Sequence, residues 1–201
     1  VSLRIDGNVV TEIGLGLQPA DEERIIDCSK HVVYPGFVNT HHHLYQTMQR
    51  CVPYVANAKL FDWLVGLYEI WRHLTPEAVY YSALVGIGEL LMSGCTTIAD
   101  HFYVFPKDQP RDLLDQTIDA AQRLGARFHP TRGSMSRGKS HGGLPPDEVV
   151  QESDEILYDC QRVIEIYHDP APPSMLRIGL SPCSPFSATA DQMKEIAILA
   201  R

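Results

Sequence analysis

Three consecutive histidines, His41, His42 and His43, follow directly on the apolar run Val32-Val33-Tyr34-Pro35-Gly36-Phe37-Val38. On an extended chain successive side chains point to opposite sides, so His41 and His43 share a side and His42 faces away. Two imidazoles on one side can hold one divalent cation, because a neutral ring nitrogen offers its lone pair near pH 7. The chemistry such a site supports is the activation of water for hydrolysis. The spacing predicts His41 and His43 as ligands of one divalent ion, zinc first and iron as the alternative. The plainer reading is a set of polar residues at a strand end.

The elements that must carry these histidines follow from periodicity and punctuation. Residues 1–31 read as short strands and turns, with Asp6-Gly7-Asn8 and Gly14-Leu15-Gly16 as turn signals, and are expected to be part of a small β-sandwich domain. From residue 32 the pattern alternates. Strands are predicted over 32–38, 96–102, 126–132 and 175–182, and helices over 75–94, 111–124, 147–167 and from 189 onward. Thr75-Pro76-Glu77 supplies a capping hydroxyl, a proline at the first helical position and an early acid; Gly94 and Gly125 are the expected stops. Strand alternating with helix implies a parallel sheet with helices outside. Residues 32–201 thus give an α/β fold of four β/α units. A closed (β/α)8 TIM-type barrel needs eight strands and about 250 residues, so the expectation is about the first half of one. The last helix is still running at Arg201, which favours a longer polypeptide over a complete open sheet.

Parallel α/β folds gather ligands at the C-terminal ends of their strands. The first end brings His41, His43 and Gln46, the second Asp100-His101, the third Arg132 and the serines after it, and the fourth Cys183. Gln46 can donate and accept toward a bound ligand, or staple its own loop. Arg132 either meets a ligand acceptor with its donor fork or makes a salt bridge under the next loop. Trp63 sits on an amphipathic segment with Leu60, Leu64 and Leu67, either facing substrate or packing helices together. Asp100 and His101 are expected either to orient a ligating imidazole or to face the helices. The segment 133–146, with four glycines and three serines, is expected to be a flexible loop covering the site.

Composition narrows the classes. The chain has 201 residues and 44% hydrophobic content, enough for one buried core. A net charge of −8 without a basic cluster argues against binding polymeric nucleic acid. No apolar stretch is long enough to span a bilayer and the N-terminus lacks signal-peptide character, so a cytoplasmic protein without membrane association is expected. Five scattered cysteines without a CxxC pair exclude a disulfide framework and a zinc ribbon.

Several segments carry a resemblance. Pro35-Gly36-Phe37-Val38-Asn39-Thr40-His41-His42-His43 and Ser93-Gly94-Cys95-Thr96-Thr97 resemble the opening motifs of the amidohydrolase superfamily. Within it, Asn39 to Gln46, Leu60 to Leu64, Thr131 to Ser136, Gly142 to Pro146 and Pro182 to Phe186 are similar to the mononuclear aminohydrolases of purines, triazines and S-adenosylhomocysteine, above all those acting on 8-oxoguanine. The resemblance implies a barrel hydrolase that uses one divalent metal ion and water to deaminate a purine-like ring, with Gln46, Trp63, Arg132 and Cys183 on the substrate. Guanine, S-adenosylhomocysteine and triazines are the alternative substrates. The resemblance also implies a further histidine in an HxxE motif, another histidine and an aspartate, which no segment here matches. A non-catalytic metal-binding half-barrel is the competing class. The expected partners are a small heterocycle and water; self-association into a homo-oligomer is left open.

Overall fold

The computed structural model describes residues 1–201 and separates into two compact units, Val1–Pro35 and Gly36–Arg201. In the first, β1 (Ser2–Asp6) and β2 (Val9–Gly14) form an antiparallel hairpin. Gly7 takes the left-handed conformation that the tight connection requires, at φ +57°. Arg4 ties this unit internally through ion pairs to Glu12 and Glu23.

The second unit is built on a parallel sheet in the order β3 (Phe37–Asn39), β4 (Cys95–Phe102), β5 (Arg127–Ser134) and β6 (Gly179–Pro182). Five helices accompany it: α1 (Leu60–Trp71), α2 (Pro76–Met92), α3 (Leu113–Leu124), α4 (Ser153–Tyr167) and α5 (Ala190–Leu199). The four predicted β/α units are present as a parallel half-barrel sheet. Thr75 caps α2 by accepting the Ala78 N–H, and Gly125 ends α3 in the left-handed conformation.

Three boundaries differ from expectation, each for a local reason. The first strand is three residues long rather than seven, since Pro35 has no N–H to give to a ladder and pairing with β4 begins only at Phe37. The third predicted helix starts at Ser153, not near residue 147, because Asp147–Val149 make a 3₁₀ turn and the chain after it is extended and held: the Gln151 N–H donates to the Met135 carbonyl at 2.9 Å and its side chain serves Arg132. The fourth strand begins only at Gly179, since the His168 ring captures the Ile178 N–H at 3.1 Å.

Along β4 the buried residues Ile98, Asp100 and Phe102 alternate with the more accessible Thr97, Ala99 and His101. Ile98 and Phe102 belong to one core with Val79, Ala83 and Ile87 of α2 and Leu114 and Ile118 of α3. One face of β4 therefore packs on helices while the other presents His101. No helix is long and apolar enough to cross a membrane.

Candidate metal centre and substrate pocket

The histidine triplet lies just past the end of β3, where the chain stays extended until a 3₁₀ turn begins at Leu44 (Leu44–Gln49). The His41 N–H donates to the Asn39 side chain at 3.0 Å, and alternation survives beyond the strand. The His41 and His43 rings meet edge to face with centroids 5.0 Å apart. His42 turns instead toward α2, where its ring edge lies against Gly86.

Three bonds from the end of β4 fix this segment. The His101 N–H donates to the His42 carbonyl at 2.8 Å. His43 Nδ1 stands 2.8 Å from the His101 carbonyl, which can only accept, so Nδ1 carries the proton and Nε2 keeps its lone pair. The Leu44 N–H donates to Asp100 Oδ1 at 2.7 Å. Burial pushes the His43 pKa down to about 4, leaving the ring neutral at pH 7. Burial likewise raises Asp100 to about 7, against the pull of the Leu44 and His101 backbone N–H groups.

These residues fit a divalent cation. Metal–nitrogen bonds of about 2.0–2.1 Å at a roughly tetrahedral angle put two ligating imidazole centroids about 5 Å apart, which is the observed separation of His41 and His43. No group of three His, Cys, Asp or Glu side chains converges here, so His41 and His43 are the pair that fits one cation. His101 is not a third: its Nε2 lies 3.1 Å from the Ser181 carbonyl on β6, and its ring stacks beside Tyr103 at 4.9 Å.

Beside the histidines stands a wall of aromatic hydroxyls that sequence reasoning did not single out. Tyr103 lies 5.5 Å from His43 and 5.7 Å from Tyr45, ring to ring, and the two tyrosine hydroxyls bond to each other. Burial raises the pKa of both, so the hydroxyls stay protonated. The signal available was position: Tyr45 and Tyr103 each fall two residues past a residue that reaches the site, His43 and His101. Gln46, the predicted base reader, donates through Nε2 to Tyr45 Oη at 3.1 Å and so belongs to this wall. Cys183 follows β6, its N–H bonded to the Ser134 carbonyl, and its thiol interacts with Tyr45, Tyr68 and Tyr103 while burial raises its pKa. Trp63 on α1 is half-buried and packs on Trp71 at 5.5 Å, as the helix-packing alternative has it.

Arg132 departs from the expected substrate contact. It alternates with Gly133 on β5 and points to the helical side, where it is 0% exposed. Its donors are committed to Asp159 at 2.8 Å, Gln151 at 2.9 Å and the Gly133 carbonyl at 2.6 Å, and its guanidinium lies 3.8 Å from the Phe105 ring centroid. The salt-bridge alternative is the observed one. The loop 133–146 is likewise folded back on itself: Lys139 N–H bonds to the Pro145 carbonyl, Gly143 N–H to Gly138, and Leu144 N–H to Phe186. It is a compact, hydrogen-bonded loop.

Comparison with known proteins agrees with this geometry. The amidohydrolase family model matches residues 32–201. The 8-oxoguanine deaminase of Pseudomonas aeruginosa is 47% identical over 97% of this chain and 43% of its own length. Among solved structures, an amidohydrolase from an environmental sample of the Sargasso Sea superimposes with a TM-score of 0.82 at 30% identity, covering 99% of this chain and 44% of that one. Atrazine chlorohydrolase from Arthrobacter aurescens TC1, complexed with zinc, does so with a TM-score of 0.75 at 34% identity over 83% of this chain and 38% of that one. The chain spans less than half the length of these relatives. A parallel sheet with paired histidines past its first strand, matched over residues 32–201, places this chain in the amidohydrolase family.

Proposed function

We propose that the full protein is a metal-dependent aminohydrolase that deaminates a purine-like ring, with 8-oxoguanine as substrate and urate and ammonia as products. The observation that carries the reading is His43, held neutral with Nδ1 bonded to the His101 carbonyl and Nε2 free, facing His41 at the separation one cation requires. The 47% identity to an 8-oxoguanine deaminase supports the substrate. A divalent ion, zinc by preference and iron as the alternative, would lower the pKa of water so that a nucleophile is available near pH 7.

The chain's own residues prepare the site. His41 and His43 hold the ion, and β4 fixes them through His101 and Asp100. Tyr45, Tyr103, Gln46 and Cys183 form the polar wall against which a flat heterocycle is oriented, Gln46 keeping its Oε1 for an N–H of the ring. Trp63 on α1 packs on Trp71, which in turn packs on Tyr45. The balance is hydrolytic: water adds to the carbon bearing the amino group, the C–N bond breaks, and ammonia leaves with a ring carbonyl in its place. No acidic side chain converges with His41 and His43, so the group that passes the proton to the leaving nitrogen is assigned to no residue of this chain.

Architecture and setting complete the proposal. Residues 1–31 belong to a small β domain and 32–201 to a closed β/α barrel, in a cytoplasmic enzyme that acts on a small molecule and not on nucleic acid. The test is ammonia release from 8-oxoguanine by the full-length protein, metal-loaded and after chelation. Turnover that disappears with the metal and returns with zinc or iron is expected; turnover indifferent to chelation would sink the reading.

A further inference from the structure

Asp100 is a poor choice of residue for its surroundings. It sits on the helix-packed face of β4 between Ile98 and Phe102, 1% exposed, and its Oδ2 has no hydrogen-bond partner. A buried carboxylate with one oxygen unsatisfied costs desolvation that an apolar side chain of similar size would not. What it gains is at Oδ1. Leu44 is the first residue of the 3₁₀ turn Leu44–Gln49, and the N–H groups that open such a turn have no partner within it. The residue before it, His43, makes no side-chain cap. The cap comes from the next strand: Asp100 Oδ1 accepts the Leu44 N–H at 2.7 Å.

We infer that Asp100 is a positioning residue for the metal centre, acting on the backbone of the turn rather than on an imidazole. Of the three bonds by which β4 holds the histidine segment, two use the backbone of His101. Asp100 provides the third, and it is the one to which β4 contributes a side chain. By fixing the peptide that follows His43, it sets the direction in which that ring leaves the chain. It also starts the turn that carries Tyr45 and Gln46 into the pocket wall. The inference rests on His41 and His43 as metal ligands.

The experiment is the zinc affinity of the full-length protein, measured by competition with a chromogenic chelator well below the melting temperature. Asp100→Ala is expected to bind zinc about 10–100-fold more weakly, the loss typical when a group supporting a ligand is removed. Asp100→Asn keeps a carbonyl oxygen for the Leu44 N–H and should bind close to wild type. Ile98→Ala, on the same face of the same strand, should lower the melting temperature and leave affinity unchanged. If Asp100→Ala does not fold, Asp100→Ser, too short to reach Leu44, takes its place with the same expected loss. Unchanged affinity in the Ala or Ser variant, a loss in Asn as large as theirs, or an equal loss in Ile98→Ala would overturn the positioning role. A folded wild-type protein that binds no zinc would overturn the metal reading instead.

Discussion

His42 and Arg132 show which residue roles can be read from a sequence and which cannot. Alternation along an extended chain is a local property, so the opposite facing of His42 could be anticipated from the triplet alone, even though the chain leaves β3 before reaching it. In the full-length protein His41→Ala and His43→Ala should each abolish stoichiometric metal, whereas His42→Ala should retain it; elemental analysis of the purified variants checks this. Equal loss from His42→Ala would reverse the assignment. Arg132 was not legible, since its partners Gln151 and Asp159 lie 19 and 27 residues away and only the fold brings them together. Removing one partner of a buried ion pair strands the other, so Arg132→Ala should cost about 3–5 kcal/mol of stability. Its KM should not rise, since the guanidinium faces the helices; denaturant unfolding and steady-state kinetics separate the two effects. A KM increase without destabilisation would return Arg132 to the substrate.

At the scale of elements, helices with complete punctuation were legible and short strands were not. Thr75-Pro76 fixed the start of α2, while β3 shrank to three residues because a run of β-prone side chains does not reveal which N–H groups find partners. The close approach of α2 to the turn Leu44–Gln49 was also hidden, although one of the two glycines late in that helix, Gly86, records it. At Gly86 an added Cβ would stand 2.8 Å from both Leu44 Cδ2 and Thr47 Oγ1, whereas at Gly88 it would meet nothing within 4 Å. Both positions are helical, so the same substitution tests packing against propensity. Gly88→Ala should raise stability by about 0.5–1 kcal/mol, the backbone-entropy gain of alanine in a helix. Gly86→Ala should lower it by about 1–3 kcal/mol through overpacking. Thermal melts of the pair decide; stabilisation by both would mean that the turn can move away from α2 at little cost.

At the scale of the whole molecule, the half-barrel sheet, its helical layer and the juxtaposition of His41 with His43 were all visible in the sequence, and the substrate is what the remaining chemistry must select. Oxidation at C8 gives guanine a carbonyl acceptor there and turns N7 from an acceptor into a donor. The wall of Tyr45, Tyr103, Gln46 and Cys183 is rich in groups that lose a partner when the wrong ring enters. An unpaired buried polar group costs about 1–3 kcal/mol, so two mismatches suffice for a preference of about 100-fold or more. The full-length, metal-loaded protein should therefore release ammonia from 8-oxoguanine with a kcat/KM at least about 100 times that for guanine. Gln46→Ala and Cys183→Ala should each narrow that ratio by about tenfold while bound metal stays constant, because the proposal places them on the ring and not on the ion. Equal turnover of the two purines would remove 8-oxoguanine as the substrate and leave His41 and His43 untouched. Activity confined to a triazine would instead align the pocket with the chlorohydrolase that shares its fold.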